Sequence, residues 1–383
     1  MKGAGLVCGL FSLAFVAAGC GGEGGSGAPA GEASGGARDE LGVPTTGWDT
    51  DFSKHTVPLG EFLSGGPGKD GIPAIDAPRF VPVEEADDWL EEREPVIELE
   101  LEDDARAYPL RILVWHEIVN DEVAGTPVAV TFCPLCNTAI VFDRRLDGRV
   151  LDFGTTGNLR HSDLVMYDRQ TESWWQQFGG AAVVGELAGE NLEQLPARIV
   201  AWEDFVARHP NGDVLSQETG FPRDYGRNPY AGYDDVDSGP FFPAKGADDD
   251  RLLPKERVVF IELGDDAVAV PFSVLEKEKT MEVEVGGERL ELRWVPGVGS
   301  ALDSSDIAGG REVGSAEVRS LASGQPVPFD QPFWFAVASF RPDIRIVGKE
   351  TAARSSSSSS SDGQSAPPPQ GSAPRRGYLA PKA

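Results

Sequence analysis

Residues 97–134 read IELELEDDARAYPLRILVWHEIVNDEVAGTPVAVTFCP, and a second copy of this stretch occupies residues 259–296. The two segments align without a gap, and twelve of the 38 aligned pairs are identical. The identical residues are mostly turn formers and apolar residues, such as Pro109 with Pro271 and Gly125 with Gly287. Because these residue types set the path of the backbone, we expect both segments to form the same strand–helix–hairpin unit.

The two copies differ where the first copy carries reactive side chains. Cys133 corresponds to Val295, Cys136 to Val298 and His116 to Glu278. The second copy therefore serves as an internal control, because its fold needs none of these side chains. We infer that the first copy keeps them for a purpose other than folding.

The pattern along the chain predicts a mostly β fold, an α+β domain with few short helices. Helices are expected after Pro109, after Pro271 and at Glu203–Arg208. The duplicated units should form one antiparallel β-rich domain with a pseudo-twofold relation. Short alternating or β-branched runs bounded by Gly and Asp-Gly turns predict strands; they are Val96–Leu101, Pro127–Phe132, Ala139–Phe142, Leu164–Tyr167, Ala197–Ala201, Arg257–Leu263, Leu290–Val295 and Phe333–Ser339.

Both ends of the chain differ in composition from the middle. Residues 1–20 have the charge, apolar run and Ala-Gly-Cys ending of a lipoprotein signal peptide, which predicts lipidation at Cys20 and an extracytoplasmic, membrane-anchored protein. Residues 21–45 are rich in Gly, Ala and Ser and predict a flexible tether. The folded domain is expected at 46–350, and the Ser- and Pro-rich residues 351–383 predict a disordered tail.

The formal net charge of −28 excludes one class of partner. Nucleic-acid binding requires Lys and Arg side chains that neutralise phosphates, and this chain has a large excess of Asp and Glu. The predicted partner is instead the membrane, reached through the lipid at Cys20. Partner proteins are not indicated by the composition.

Cys133-Pro134-Leu135-Cys136 is the segment with the clearest chemistry. Two cysteines with this spacing directly after a strand can place both sulfurs on one metal ion, or can cycle between dithiol and disulfide. Sixteen residues separate His116, at the end of the predicted helix, from this segment, and a hairpin could bring it to the sulfurs. The sequence thus predicts a copper or zinc site of Cys133, Cys136 and His116. A histidine that caps the carbonyl groups at its own helix end remains the alternative for His116.

A fourth ligand, or a residue supporting the ligands, could come from several nearby side chains. The candidates are Glu117, Asp121, Met166 and His161. A separate Gly- and Pro-containing stretch, Thr219–Tyr230, carries Arg223, Tyr225 and Arg227. Its composition predicts a loop that contacts an anionic ligand, or one that is held by ion pairs within the loop.

Several of these segments together resemble a family of secreted and lipid-anchored prokaryotic proteins known as domain of unknown function 3179. The resemblance covers about Gly71–Gly348, and the family label implies no activity. In the family pattern the position of His161 is commonly Asn, which weakens His161 as a ligand. The matching segments are Asp70–Asp76, Ala107–Leu113, Trp115–Asp121, Thr131–Thr138, Leu164–Thr171, Thr219–Tyr233 and Phe333–Phe335.

Three functions are compatible with these residues. The first is a lipid-anchored metal-binding protein, with or without redox activity, that uses Cys133, Cys136 and His116. The second is a thiol–disulfide oxidoreductase, whose Cys-x-x-Cys normally begins a helix, whereas residues 137–142 predict a strand here. The third is a binding module without catalysis, in which the two cysteines form a static disulfide and the Arg/Tyr loop holds a ligand.

Overall fold

The computed structural model of the chain describes residues 36–348. The predicted signal peptide at 1–20 with its lipidation site Cys20, most of the tether and the tail at 351–383 lie outside these residues. Within the described part of the chain, no helix combines the length and the apolar character needed to cross a membrane.

The predicted boundary of the tether at residue 45 is wrong. Residues 36–40 are helical, and Leu41 and Val43 are buried in a hydrophobic cluster with Phe52 and Trp174. The Gly and Ser content around these two apolar residues concealed them in the composition. The folded part therefore begins before residue 41.

The predicted mostly β fold is confirmed, with five short α-helices beyond residue 40 and many strands in the described range. The helices are α1 (Val83–Ala86), α2 (Leu110–His116), α3 (Trp202–Arg208), α4 (Phe272–Glu278) and α5 (Trp334–Phe340), with 3-10 turns at Leu59–Glu61 and Ile307–Gly309. The strands are β1 (Phe62–Ser64), β2 (Phe80–Pro82), β3 (Pro95–Leu101), β4 (Asp104–Pro109), β5 (Ile118–Val123), β6 (Thr126–Cys133), β7 (Thr138–Asp143), β8 (Arg145–Leu146), β9 (Arg149–Val150), β10 (Phe153–Arg160), β11 (Asp163–Asp168), β12 (Trp174–Gln176), β13 (Ala182–Val184), β14 (Gln194–Leu195), β15 (Ala197–Ala201), β16 (Asp213–Leu215), β17 (Val258–Leu263), β18 (Asp266–Pro271), β19 (Thr280–Val285), β20 (Glu288–Val295), β21 (Ser315–Ser320) and β22 (Arg345–Ile346).

The strands form separate, mostly antiparallel sheets. Three of them are built from residues 62–215, in the orders β1-β10-β11-β12-β13, β14-β7-β6-β5 and β15-β3-β4-β16-β2. Two smaller sheets, β17-β18-β22 and β19-β20-β21, belong to the second half, and β8 and β9 form a separate ribbon.

The predicted duplication is confirmed element by element. The series β3, β4, α2, β5, β6 recurs as β17, β18, α4, β19, β20, and both helices follow a proline N-cap, Pro109 and Pro271. Both also end at a residue with positive φ, Glu117 at 59° and Lys279 at 64°. The shared proline and turn residues thus position the same backbone twice.

The duplication extends beyond the segments that align in sequence. In the first repeat, α3 leads into β16, which pairs in parallel with β4; in the second, α5 leads into β22, which pairs in parallel with β18. The residues before α5 also bridge to β17, as β15 pairs with β3. What distinguishes the first repeat is the longer segment between β7 and β15, which builds the sheet of β10 to β13.

The predicted strand at Phe333–Ser339 is wrong, because Trp334–Phe340 form helix α5. The side chains of Trp334, Phe335 and Val337 are all buried, so the run is apolar on every side. A short run of this kind has no periodicity that separates a helix from a strand. Its correspondence to α3, which also starts with Trp, is the signal that identifies it.

The second repeat supports the Cys-x-x-Cys turn of the first. The backbone N–H of Phe333, just before α5, donates to the carbonyl oxygen of Cys136 at 2.9 Å. The side-chain amide of Asn137 donates to the carbonyl oxygen of Gln331 at 2.8 Å. The turn is therefore enclosed by the second repeat, and both cysteines belong to the largest hydrophobic cluster of the molecule.

Candidate metal centre

The Cys-x-x-Cys segment forms the tight turn of a β-hairpin. Cys133 ends β6 and pairs with Thr138, which begins β7. Within the turn the N–H of Cys136 donates to the carbonyl oxygen of Cys133 at 3.3 Å, and Asn137 takes a left-handed conformation with φ of 55°. Both cysteines are free thiols, with exposed fractions of 1% and 0%. The turn therefore holds two reduced sulfurs side by side in the protein interior.

A second hairpin, between β10 and β11, faces these sulfurs. Its two turn residues, His161 and Ser162, have φ values of 54° and 66°, a conformation for which hairpins usually use Asn and Gly. The carbonyl oxygen of Ser162 lies 3.4 Å from Sγ of Cys136 and 3.9 Å from Sγ of Cys133. Strained backbone of this kind persists where the surrounding structure holds it, often at functional sites.

Asp163, the residue after this turn, completes a group of three potential metal ligands. One ligand atom each from Cys133, Cys136 and Asp163 all lie within 4.8 Å of one another. Oδ2 of Asp163 accepts the backbone N–H of Phe178 at 2.9 Å and a hydrogen bond from the side-chain amide of Gln176. Oδ1 is buried and receives no such donor. One carboxylate oxygen is thus anchored by two amide donors, while the other has no N–H donor and faces the two thiols.

The electrostatics of this group favour a cation. Burial raises the pKa of Asp163 to about 6, although hydrogen bonds from Phe178, Gln176 and the two thiols oppose the shift. Burial also raises the pKa of Cys133, and it raises that of Cys136 well above its ordinary value. Between residues 36 and 348 no lysine or arginine forms an ion pair with Asp163. A bound cation would supply the missing positive charge and displace the thiol protons.

Glu117, a candidate from the sequence for a fourth ligand or a supporting residue, borders the group. It follows α2 in the left-handed conformation, and its backbone carbonyl accepts the N–H of Phe132 at 2.8 Å. Burial, followed by the charge of Asp163, raises the pKa of Glu117 to about 8. Its carboxylate is not among the three potential ligands. Because its pKa lies above 7, Glu117 is mainly protonated at neutral pH.

His116 is not part of the group, which corrects the predicted ligand set. Its Nδ1 lies 2.7 Å from the carbonyl oxygen of Pro73, and its Nε2 lies 2.7 Å from the hydroxyl oxygen of Tyr225. Burial lowers the pKa of His116 to about 4. Both ring nitrogens are therefore engaged, and Asp163 from the β10–β11 hairpin takes the third position instead.

The remaining ligand candidates also have other partners. Oδ2 of Asp121 accepts hydrogen bonds from Arg106 at 2.7 Å and from the hydroxyl of Tyr108 at 2.6 Å. Nε2 of His161 lies 3.2 Å from the carboxylate of Glu61. Met166 is fully buried in the core. None of the three belongs to the ligand group.

The three predicted loop residues have different environments. The hydroxyl of Tyr225 contacts His116 and the hydroxyl of Thr219. Arg227 is exposed and pairs with Asp224 at 3.6 Å. Nε of Arg223 is buried and has no hydrogen-bond partner. An ion pair within the loop, one of the two alternatives predicted for it, is thus present at Arg227 and absent at Arg223 among the described residues.

Sequence reasoning missed Asp163 and the Ser162 carbonyl. The signal that could have located them is the polar run Arg160-His161-Ser162-Asp163 between two apolar strands. This run lacks the glycine that usually marks a two-residue hairpin turn. Because the sequence does not show that a turn forms here, nothing in it places Asp163 opposite the cysteines.

Comparison with known proteins identifies a family but no characterised relative. A family model described as "Protein of unknown function (DUF3179)" matches residues 69–344, well over half of the chain. No curated protein and no solved structure matches the chain.

Proposed function

This chain belongs to the DUF3179 family of proteins of unknown function, and we propose that it binds a transition metal, with zinc favoured, through Cys133, Cys136 and Asp163. The observation that carries the proposal is the convergence of two thiols and one carboxylate within 4.8 Å in a buried setting. Groups of this kind are unfavourable in the interior unless they are protonated or bound to a cation.

The donor set narrows the choice of metal. Copper and zinc both suit a pair of thiolates, but a carboxylate oxygen is a harder ligand that suits zinc better than Cu(I). Zinc with three protein ligands leaves a fourth position for water or a ligand, as in catalytic rather than structural sites. The donors that hold Oδ2 of Asp163 would orient its carboxylate, in the way that partners of ligating residues generally do.

A thiol–disulfide function is the second candidate, because the two free thiols lie side by side in one turn. Two observations disfavour it. A partner protein could not reach sulfurs whose residues are at most 1% exposed, and burial raises both pKa values, away from the reactive thiolate. The same burial would protect a static disulfide, which remains the form expected if no metal binds.

Metal analysis of protein purified without oxygen tests the proposal. We expect about one zinc or copper ion per chain, as tetrahedral coordination by one ligand group requires. Cys136→Ser and Asp163→Asn should each lose the metal. Asp330→Asn is the matched control, because Asp330 is also buried with a pKa raised by burial, to about 7, yet lies outside the ligand group.

The outcomes separate the candidates. Wild-type protein without metal, with two alkylatable thiols that oxidise to one disulfide, would contradict metal binding and favour the redox function. Loss of metal in Asp330→Asn to the same extent as in Asp163→Asn would show that the assigned ligands are wrong. Chelation should lower the melting temperature of the wild type and leave that of Cys136→Ser unchanged, since only the wild type has bound metal to lose.

The proposed location rests on residues 1–20 alone. We propose that the mature protein carries lipid at Cys20 and lies outside the cytoplasm, which matches the metal and redox chemistry available there. Cys20→Ala should move the protein from the membrane fraction to the soluble or unprocessed fraction. Unchanged partition into detergent would contradict lipid anchoring.

A further inference from the structure

Arg223 differs from every other arginine in residues 36–348. The others pair with carboxylates or donate to backbone carbonyl oxygens, as expected in a chain with a net charge of −28. Arg223 has no such partner within the described residues, and its Nε is buried without one. An unpaired guanidinium in so acidic a protein indicates that its anion comes from outside the chain.

The surroundings of Arg223 are a fixed group of polar side chains. Arg223 lies two residues from Tyr225 in the same loop, and the hydroxyl oxygen of Tyr225 lies 2.7 Å from Nε2 of His116. Burial is the main cause of the lowered pKa of His116 and of the raised pKa of Tyr225, and the nearby charge of Arg223 shifts both pKa values downward. The three residues therefore lie close together. Phe221, whose ring centroid lies 5.5 Å from that of His116, is 40% exposed and forms an apolar border.

Hydrogen bonding sets the protonation of this group. The carbonyl oxygen of Pro73 can only accept, so Nδ1 of His116 carries the hydrogen. Nε2 of the neutral ring is then an acceptor, and the hydroxyl of Tyr225 donates to it. The hydroxyl of Thr219 donates in turn to Tyr225. None of these groups is an anion, so none of them neutralises Arg223.

We propose that Arg223, beside the Tyr225–His116 pair, forms a binding site for a small oxyanion. The shared chemistry is an oxygen-rich anionic group, carboxylate or phosphate, which the planar guanidinium fork can bind through two parallel hydrogen bonds. The site requires no metal, so its test is independent of the proposed metal centre. It does lie next to that centre along the chain, because Glu117 follows His116 and borders Asp163.

Calorimetric titration of the full chain, treated with chelator, tests the site. One arm uses inorganic phosphate and the other uses acetate, which distinguishes a phosphoryl ligand from a carboxylate ligand. We expect one of the two anions to bind the wild type. Arg223→Gln should weaken that binding by about tenfold or more, the effect of losing charge-assisted hydrogen bonds.

Arg227→Gln is the matched control, because Arg227 lies in the same loop but pairs with Asp224 in solvent. It should bind the anion within about twofold of the wild type, since exposed ion pairs contribute little. Arg223→Lys keeps the charge but loses the fork, and its affinity should lie between those of the wild type and Arg223→Gln.

Three results would overturn the proposal: neither anion binds the wild type, Arg223→Gln binds as tightly as the wild type, or Arg227→Gln loses as much affinity. Circular dichroism checks that the variants fold. If Arg223→Gln does not fold, the comparison of Arg223→Lys with Arg227→Gln decides, and equal affinity of these two for the anion would count against the site.

Discussion

At the scale of single residues, this protein places its chemistry where burial determines protonation. Asp163 and the two thiols have raised pKa values because burial disfavours their charged forms. His116 shows the opposite shift for the same reason, since its charged form is the protonated one. His116 and Glu117 are adjacent in the chain but have different neighbours. His116 contacts Tyr225 of the loop, and Glu117 lies beside the acidic group around Asp163.

His116 should make the protein less stable in mild acid. Its pKa is lowered from 6.5 to about 4 on folding, so between these values the unfolded chain binds a proton that the folded protein does not. Stability therefore falls as the pH drops through about 6.5, and the loss is complete below about 4. Between pH 7 and pH 5 we expect His116→Gln to lose about 2 kcal/mol less free energy of unfolding than the wild type.

Urea unfolding of both proteins at the two pH values measures this difference. Other titrating groups, including Glu117 and Asp163, are common to both proteins and cancel to first order. Parallel losses of stability in the variant and the wild type would show that His116 does not titrate as described.

At the scale of elements, the two repeats show which positions the backbone requires and which the site requires. Helices α2 and α4 both end at a residue with positive φ, where glycine is usual because it has no Cβ. In the second repeat this residue is Lys279, which is exposed. In the first it is Glu117, which is buried beside Asp163. Neither repeat has glycine at this position. Only in the first repeat does the residue lie beside the candidate site, which gives a reason for a side chain there.

Lys279→Gly should stabilise the protein by about 1 kcal/mol, because it removes the strain of a side chain in the left-handed conformation. Lys277→Gly is the matched control. Lys277 is also exposed but lies inside α4, where glycine should cost about 1 kcal/mol. Chemical denaturation measures both changes. Destabilisation by Lys279→Gly would mean that the side chain of Lys279 contributes more than its backbone strain costs.

At the scale of the whole molecule, an ion-pair network joins the two repeats through Arg198 and Glu317. Glu317 on β21 pairs with Arg198 on β15 and with Arg293 on β20. Arg198 also pairs with Glu98 on β3 at 2.8 Å. The side chain of Glu317 is only 9% exposed. Without Glu317, the mostly buried Arg198 keeps Glu98 as a partner, and Arg293, whose side chain is 57% exposed, is solvated, so the loss is smaller than for an isolated buried ion pair.

Glu317→Ala should lower the free energy of unfolding by about 2 kcal/mol, between the costs of breaking an exposed and a fully buried ion pair. Glu282→Ala is the matched control, because its pair with Arg289 is on the surface, with side-chain exposures of 56% and 67%. That change should cost about 0.5 kcal/mol or less. Thermal and urea unfolding test the pair of variants. Equal small effects would show that the ion pairs between the repeats contribute little to their association.

Short-range patterns made much of the fold predictable. Prolines before helices, glycine and Asp-Gly turns, and alternating runs act over a few residues, so the sequence places most strands, α2 to α4 and the duplication correctly. The sequence also indicated Cys133 and Cys136 as candidate site residues, because the second repeat lacks them. Helix α5 was mistaken for a strand, since an apolar run of seven residues that is buried on every side has no period to read.

The third member of the candidate group, Asp163, depended on long-range packing. Ser162 is 26 residues from Cys136 in the chain, and it reaches the sulfurs through a hairpin that the second repeat does not have. The sequence proposed His116 for this position because of its separation from Cys133, but the folded chain engages both of its ring nitrogens elsewhere. Residue types and local spacing specify which groups are available as ligands. Which of these groups come into contact depends on how the sheets pack, and short-range sequence patterns do not predict that packing.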